Sequence, residues 1–281
     1  MLALLPHGSR AQSGASAPGA VGLPRGEVFA PLIADPKEPD FLISYLWIRT
    51  DSRNSSVGAV GLGQTFGLLR WRGRRPGDGL QLGLSGAVFA QFDMGLPSKD
   101  LLNADYLIGF PITYHRGAFS ARARLYHQSS HLGDEYLLET QPQPQRVNLS
   151  FESLDLLLAG EAGPFRVYGG GEYIPWRVPP DLKPGRLHGG LEYRQPGSLL
   201  RIGGVVKARV VMALDVRSWQ QQNWRPGWSA RGGLELTSAR DEDGLGQRLA
   251  VLLHLYDGPS PYGQFYPVEI TSIGMGAHFR L

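Results

Sequence analysis

From Phe41 onward, apolar and polar residues alternate with a period of two, in segments of roughly ten residues separated by turn chemistry. Leu80, Leu82, Leu84, Val88, Ala90 and Phe92 alternate with Gln81, Gly83, Ser85, Gln91 and Asp93. Leu200, Ile202, Val206, Ala208, Val210 and Met212 alternate with Arg201, Gly203, Lys207 and Arg209, and Leu187, Leu191 and Tyr193 with Arg186, His188, Glu192 and Arg194. Successive side chains of a strand point to opposite faces, so each segment has one face suited to lipid and one that holds charge. The pattern predicts twelve strands, over 41–50, 57–72, 79–93, 104–115, 117–131, 147–160, 164–175, 184–195, 198–213, 227–238, 246–257 and 268–281. Tight connections (GRRPGD, HRG, EAGP, QPGS) interleave with longer ones (DMGLPSKDLLNA, HLGDEYLLETQPQPQR, IPWRVPPDLKPG, LDVRSWQQQNWRPG).

That rhythm is the signature of an outer-membrane barrel, with short periplasmic turns and longer outer loops. The predicted fold is therefore all-β: a single closed antiparallel transmembrane β-barrel of about 12 strands over 41–281, localised to the bacterial outer membrane. A soluble two-sheet sandwich is the alternative, but it would leave too many strands charged on one face and apolar on the other. An even number of strands puts both termini in the periplasm. The end of the chain, GMGAHFRL, sets Ile273, Met275, Ala277, Phe279 and Leu281 on one face, as in strands handled by barrel-assembly machinery. Trp47, Trp71, Trp176, Trp219, Trp224 and Trp228 fall near predicted strand ends or in outer loops, as an interfacial girdle would.

Composition narrows the picture further. No run of about 20 apolar residues exists, which excludes helical spans. The net charge of +3 is small and the basic residues are dispersed, so nucleic acid is not an expected partner. Cysteine is absent, which removes disulfides, thiolate metal sites and cysteine nucleophiles. The N-terminal MLALLPHGSRAQSGASAPGA has a short apolar start and a small-residue ASA stretch, so residues 1–40 are expected to be a leader remnant and a periplasmic or disordered arm.

Arg122, Arg124, Arg166, Glu172, Arg186, Glu192, Arg201, Lys207, Arg209, Arg231 and Glu235 fall on the predicted inner face. A hydrogen-bonded network filling the interior is the favoured reading, and a porin-like transport pore is the alternative. Arg122 and Arg124 cannot face hydrocarbon, so Ala121, Ala123 and Leu125 face outward, and in the same register so do His127, Ser129 and His131. On the next strand the outward row Leu154, Leu156 and Leu158 continues through Glu152 and Ser150. A hairpin centred near Thr140 sets Glu152 opposite His127 and Ser150 opposite Ser129. Serine, imidazole and carboxylate together suit acyl-ester hydrolysis, because the serine needs a base and the base needs a carboxylate to hold its tautomer.

The HQSS at 127–130 resembles the His-x-Ser-Asn motif of outer-membrane phospholipase A and of the lipid A 3-O-deacylases. The resemblance implies Ser129 as nucleophile, His127 as base and Glu152 as orienting acid. It further implies membrane lipids as substrate and partner, whether phospholipid or lipid A, and leaves a homodimer open. Ser130 stands where the motif has Asn. FAPLIADPKEPDF, GLSGAVFAQFDM and YHQSSHLGDEYLL are similar to an uncharacterised family of outer-membrane barrels with no assigned activity. The competing class is a non-enzymatic structural or transport barrel, in which a polar cluster at the rim simply meets lipid headgroups. His131, Asp134 and Glu135 could hold a divalent cation such as Ca2+ in the loop that follows. The glycines at 169–171 precede no helix, so they imply strand curvature or close packing, not a phosphate loop.

Overall fold

The computed structural model describes residues 19–75, 77–139, 146–240 and 246–281. Twelve of its strands form one closed antiparallel wall: β2 (Phe41–Arg49), β3 (Asn54–Arg72), β4 (Gly79–Asp93), β5 (Leu101–Arg116), β6 (Phe119–Leu132), β7 (Leu149–Ala162), β8 (Phe165–Val178), β9 (Gly185–Arg194), β11 (Val206–Trp219), β12 (Pro226–Ser238), β13 (Arg248–Pro259) and β14 (Glu269–Arg280). Closure comes from β14 pairing with β2 and β3 with β4, which leaves no open edge. Two short strands add to the wall. β1 (Ala20–Gly22) pairs with the overhanging end of β3, and β10 (Leu200–Ile202) pairs with β11. One short helix, α1 (Asp134–Glu139), lies in the connection from β6 to β7.

The outer face is apolar along the strands, with Ile43, Val167, Leu187 and Met275 each more than half exposed. A wall of this kind belongs in lipid, and with the closed barrel it places the protein in the bacterial outer membrane. Two glycines are required by close approach. A Cβ at Gly170 would stand 1.9 Å from the Leu156 carbonyl oxygen, and one at Gly190 would stand 2.3 Å from the Tyr168 hydroxyl.

The strand predicted over 198–213 is corrected. The chain turns at Gly203 and Gly204, both at positive φ, so Leu200–Ile202 folds back on Val206–Ala208 and β11 runs on to Trp219. QPGS is then a break between β9 and β10 and not the hairpin turn. Arg201 accordingly lies exposed on the hairpin and not in the lumen. Trp219, expected in the girdle, points inward beside Tyr266. Of the long connection 239–247, residues 241–245 lie outside the described residues.

The larger correction concerns residues 1–40. Residues 1–18 lie outside the described residues, but those from Val28 to Asp40 run inside the barrel. Phe29 and Leu32 pack on Leu157, Ala159 and Tyr168, and Ile33 and Ala34 pack on Val211, Ala213 and Leu252. The inward arginines find their acceptors on this arm. Arg122 pairs with Glu38 at 3.0 Å, Arg166 donates to the Ala30 carbonyl at 2.8 Å, Arg231 to that of Ile33 at 3.0 Å, and Arg280 to that of Leu32 at 2.9 Å. Arg217 pairs with Asp35, and the Ile33 N–H donates to Glu192. Other pairs join neighbouring strands, among them Arg124 with Asp155, Arg186 with Glu172, and Arg209 with Glu235. Buried guanidinium groups are costly without such partners, so the arm is a structural part of the barrel.

Two outcomes are expected. Glu38→Ala leaves Arg122 short of an acceptor and should lower stability by about 3–5 kcal/mol, read as a lower temperature for the heat-induced shift in gel migration. Planar-bilayer recordings of the whole chain should show no steady porin-sized conductance, because the arm occupies the lumen. Asp40 gives a pH signature. Burial alone would raise its carboxyl, but His278, Arg280 and Arg231 outweigh this and bring it from 3.8 down to about 2. A depressed carboxyl stabilises the fold above its unfolded pKa and loses that contribution as pH falls through the folded one. Stability should therefore drop between about pH 4 and 2, and Asp40→Asn should flatten that part of a pH titration of unfolding.

Candidate functional site

β6 and β7 pair in the register that sets His127 opposite Glu152 and Ser129 opposite Ser150. All four lie on the outward face, since burial alternates along β6 with Arg122, Arg124, Tyr126, Gln128 and Ser130 inside. They sit toward the end of the barrel that carries the longer connections, above an outward row of Leu125, Leu154 and Leu156. On the flanks, Tyr106 and Ile108 of β5 stand opposite Ser129 and His127, and Trp176 of β8 stands opposite Glu152. The patch is thus a small polar island at the upper edge of an apolar wall.

His127 Nδ1 lies 3.0 Å from Glu152 Oε1, with the two side chains 39% and 41% exposed. A carboxylate only accepts, so this bond places the imidazole proton on Nδ1 and leaves the Nε2 lone pair free to act as a base. Ser129 is two residues along the same face, where Cβ atoms stand about 6.5–7 Å apart. No hydrogen bond joins its hydroxyl to His127 among the described residues, and rotation of the two side chains can close that gap.

Behind the patch the inner face is tightly tied. Ser130 donates to Asn103 at 3.1 Å and to Asp105, and Asp105 also accepts from Lys37 of the arm and from the Gly263 N–H at 3.0 Å. Gln264 donates to the Ser130 carbonyl at 2.8 Å. The loop before β14 is thereby folded over the lumen against the inside of β6, so the strand that carries His127 and Ser129 has a fixed backing. Lys37 is held with its charge over the rings of Phe89 and Tyr262; burial pulls its pKa down and Asp105 opposes that shift.

His131, Asp134 and Glu135 were expected to hold a cation, but they are not among the described residues whose donor atoms converge. His131 packs edge-on against the Tyr106 ring at 5.8 Å between ring centres, and Asp134 and Glu135 are exposed in the first turn of α1. Among the described residues the metal-type donors that do converge are those of Asp35, His188 and Asp215, within 4.8 Å of one another and deep in the lumen. That cluster already contains a cation: Arg217 pairs with Asp35 at 2.5 Å, while His188 and Tyr168 hydrogen-bond to Asp215 at 2.6 and 2.5 Å. His188 was visible in the sequence as an inward residue. Asp215 and Arg217 lie beyond the end of the strand predicted over 198–213, and β11 extends through them.

Asp105→Ala should leave the Lys37 ammonium buried without its acceptor and cost about 3–5 kcal/mol, measured by chemical unfolding, while the outward residues remain in place.

The fold has solved counterparts. The outer membrane phospholipase of Salmonella typhi, solved as a dimer with bound calcium, superposes with a TM-score of 0.57 at 16% identity, over 91% of this chain and 98% of that one. Outer membrane phospholipase A from Escherichia coli gives 0.55 at 16% identity, over 90% and 94%. The β domain of the Bordetella autotransporter BrkA gives 0.46 at 11% identity, over 86% and 98%. No curated protein matches the chain. Residues 12–281 match the family described as "Protein of unknown function (DUF1207)".

Proposed function

The chain belongs to the DUF1207 family of proteins of unknown function, and we propose that its outer wall works as a serine-type hydrolase of lipid acyl esters, on phospholipid or lipid A. The observation that carries this reading is the His127–Glu152 pair at 3.0 Å, in register with Ser129 on the lipid-facing side. In the reaction, His127 Nε2 takes the Ser129 proton as Oγ attacks the ester carbonyl carbon, and Glu152 stabilises the imidazolium that forms. The imidazolium then gives its proton to the leaving alcohol oxygen, and the acyl group stays on Ser129. Water, deprotonated by the same imidazole, attacks the acyl-enzyme carbonyl; the bond to Ser129 Oγ breaks as the imidazolium returns the proton to that oxygen, and the fatty acid is released. Ser150 puts a second hydroxyl opposite the nucleophile, where it can donate to the oxyanion.

The location supports the reading. An ester carbonyl lies at the boundary between headgroup and acyl chain, the level at which the polar island meets the leucines below it. A pore reading gains nothing from the filled lumen. The solved phospholipases share the fold at 16% identity, which supports the architecture and not the residue roles. Because the outer-loop acids do not converge, no step is assigned to calcium. Dimerisation, as in the Salmonella structure, would bring this wall against a second copy of the chain.

Purified wild type should release fatty acid from labelled phospholipid or lipid A in mixed micelles. Ser129→Ala and His127→Ala, folded as judged by gel migration, should each lose activity by roughly 1000-fold or more, and Glu152→Gln by less. Equal release by wild type and Ser129→Ala would remove Ser129 as nucleophile, and no release by either would leave a non-enzymatic barrel. Parallel arms with calcium and with a chelator, and crosslinking before assay, read any dependence on metal or on dimerisation.

A further inference from the structure

On the side of the barrel opposite His127, the outer wall carries an open groove formed by β2, β14, β13 and β12, with a volume of about 430 Å³. Volumes of this size are typical of ligand sites. Its walls are Trp47 and Trp228, both close to half exposed, and its floor is Ile273, Leu255 and the small Ala230. These residues stand side by side: Trp47 faces Ile273, Ile273 faces Leu255, and Leu255 faces Ala230. One step nearer the outer rim, the same four strands present Arg49, Thr271, Asp257 and Trp228 as a row.

Arg49 is exposed and forms no ion pair among the described residues. Asp257 is also exposed, and Thr271 donates to its Oδ2 at 2.8 Å, which orients the carboxylate. One strand lies between the two charges, so their backbones are about 10 Å apart and a long arginine side chain can shorten the gap. A cation and an anion held apart in this way at headgroup level match a zwitterion of the reverse order. Arginine presents paired donors to phosphate, and an ammonium has three donors for a carboxylate. Trp228 stands beside Asp257 at the same level, and below the row Trp47 and the floor of Ile273, Leu255 and Ala230 suit an acyl chain.

We infer that this groove is a binding site for a phospholipid with an ethanolamine headgroup, with its phosphate on Arg49, its ammonium on Asp257 and an acyl chain between Trp47 and Trp228. The site is independent of the hydrolase reading, since it lies across the barrel and makes no bond to the lipid. A glycerol headgroup offers Asp257 no cation. The phosphate monoesters of lipid A would be drawn to Arg49 but repelled by Asp257.

The test is lipid retention by the whole chain. Purified protein is reconstituted in nanodiscs containing equal parts of phosphatidylethanolamine, phosphatidylglycerol and lipid A, extracted into mild detergent, and the lipid that stays bound is measured by native mass spectrometry. Wild type should retain phosphatidylethanolamine over phosphatidylglycerol by about fivefold, the scale of one charge-assisted hydrogen bond at a half-exposed site. Asp257→Asn should bring that ratio close to one. Arg49→Gln should weaken retention of phosphatidylethanolamine, and Trp47→Ala with Trp228→Ala should release bound lipid of every class. All of these positions are on the surface, and heat-shifted gel migration confirms folding. Preferential retention of phosphatidylglycerol or lipid A, or the same ratio in wild type and Asp257→Asn, would overturn the assignment.

Discussion

The barrel interior is governed by one constraint: guanidinium groups on the inward face must find acceptors away from bulk water. Strand alternation forces this, because the residues that cannot face lipid must face inward. A twelve-strand wall encloses more space than its own inward side chains fill, so part of the acceptor supply comes from elsewhere. The segment before β2 provides it, with Asp35, Glu38 and Asp40 as charges and Ala30, Leu32 and Ile33 as carbonyls. Phe29 adds an aromatic face under Arg122 and Arg166, with the guanidinium carbons 5.2 and 4.4 Å from the ring centre. The same contacts that pair the arginines close the lumen. Filling and stability are then one property of this fold, and a solute path would require breaking the ion pairs that hold the wall.

How much of this could be read from the chain depends on the range of each interaction. The strands of the wall follow from period-two alternation, which is local. The ninth strand was misframed for a specific reason. Ile202 and Val206 pair across a three-residue turn, four positions apart, so the alternation passes through the turn in phase. A continuous strand and a hairpin give the same pattern there, and Gly203–Gly204 was the single cue. The arm was illegible on other grounds. Its segment has no strand period, and its partners lie far along the chain: Glu38 meets a residue 84 positions away, and Leu32 one 248 positions away. Nothing in FAPLIADPKEPDF shows that its acids answer arginines in other strands.

The outer-wall pair was legible because a hairpin converts register into contact. Once the apolar face of β6 was fixed by Arg122 and Arg124, the orientation of His127 and Ser129 followed. Once the hairpin was centred near Thr140, Glu152 became the partner. Side-chain geometry was not available in the same way. Asp134 and Glu135 fall in the first turn of α1, and no spacing rule shows that His131 packs on the Tyr106 ring.

Inner and outer faces of β6 are coupled by the alternation itself. Ser130 is locked inward by Asn103 and Asp105, so Ser129 must point outward, and a shift of one residue would break both arrangements. The cost of the outward pair then needs a reason. In a bilayer the lower neighbours of His127 and Glu152, which are Leu125, Leu154 and Leu156, face hydrocarbon. An acid at that depth is disfavoured, and its hydrogen bond to an imidazole offsets only part of the penalty. Serine or threonine would serve a purely structural rim at lower cost. Anchoring alone gives no reason for a carboxylate, an imidazole and a hydroxyl held in register there, and that cost is one ground on which hydrolysis is proposed for this patch.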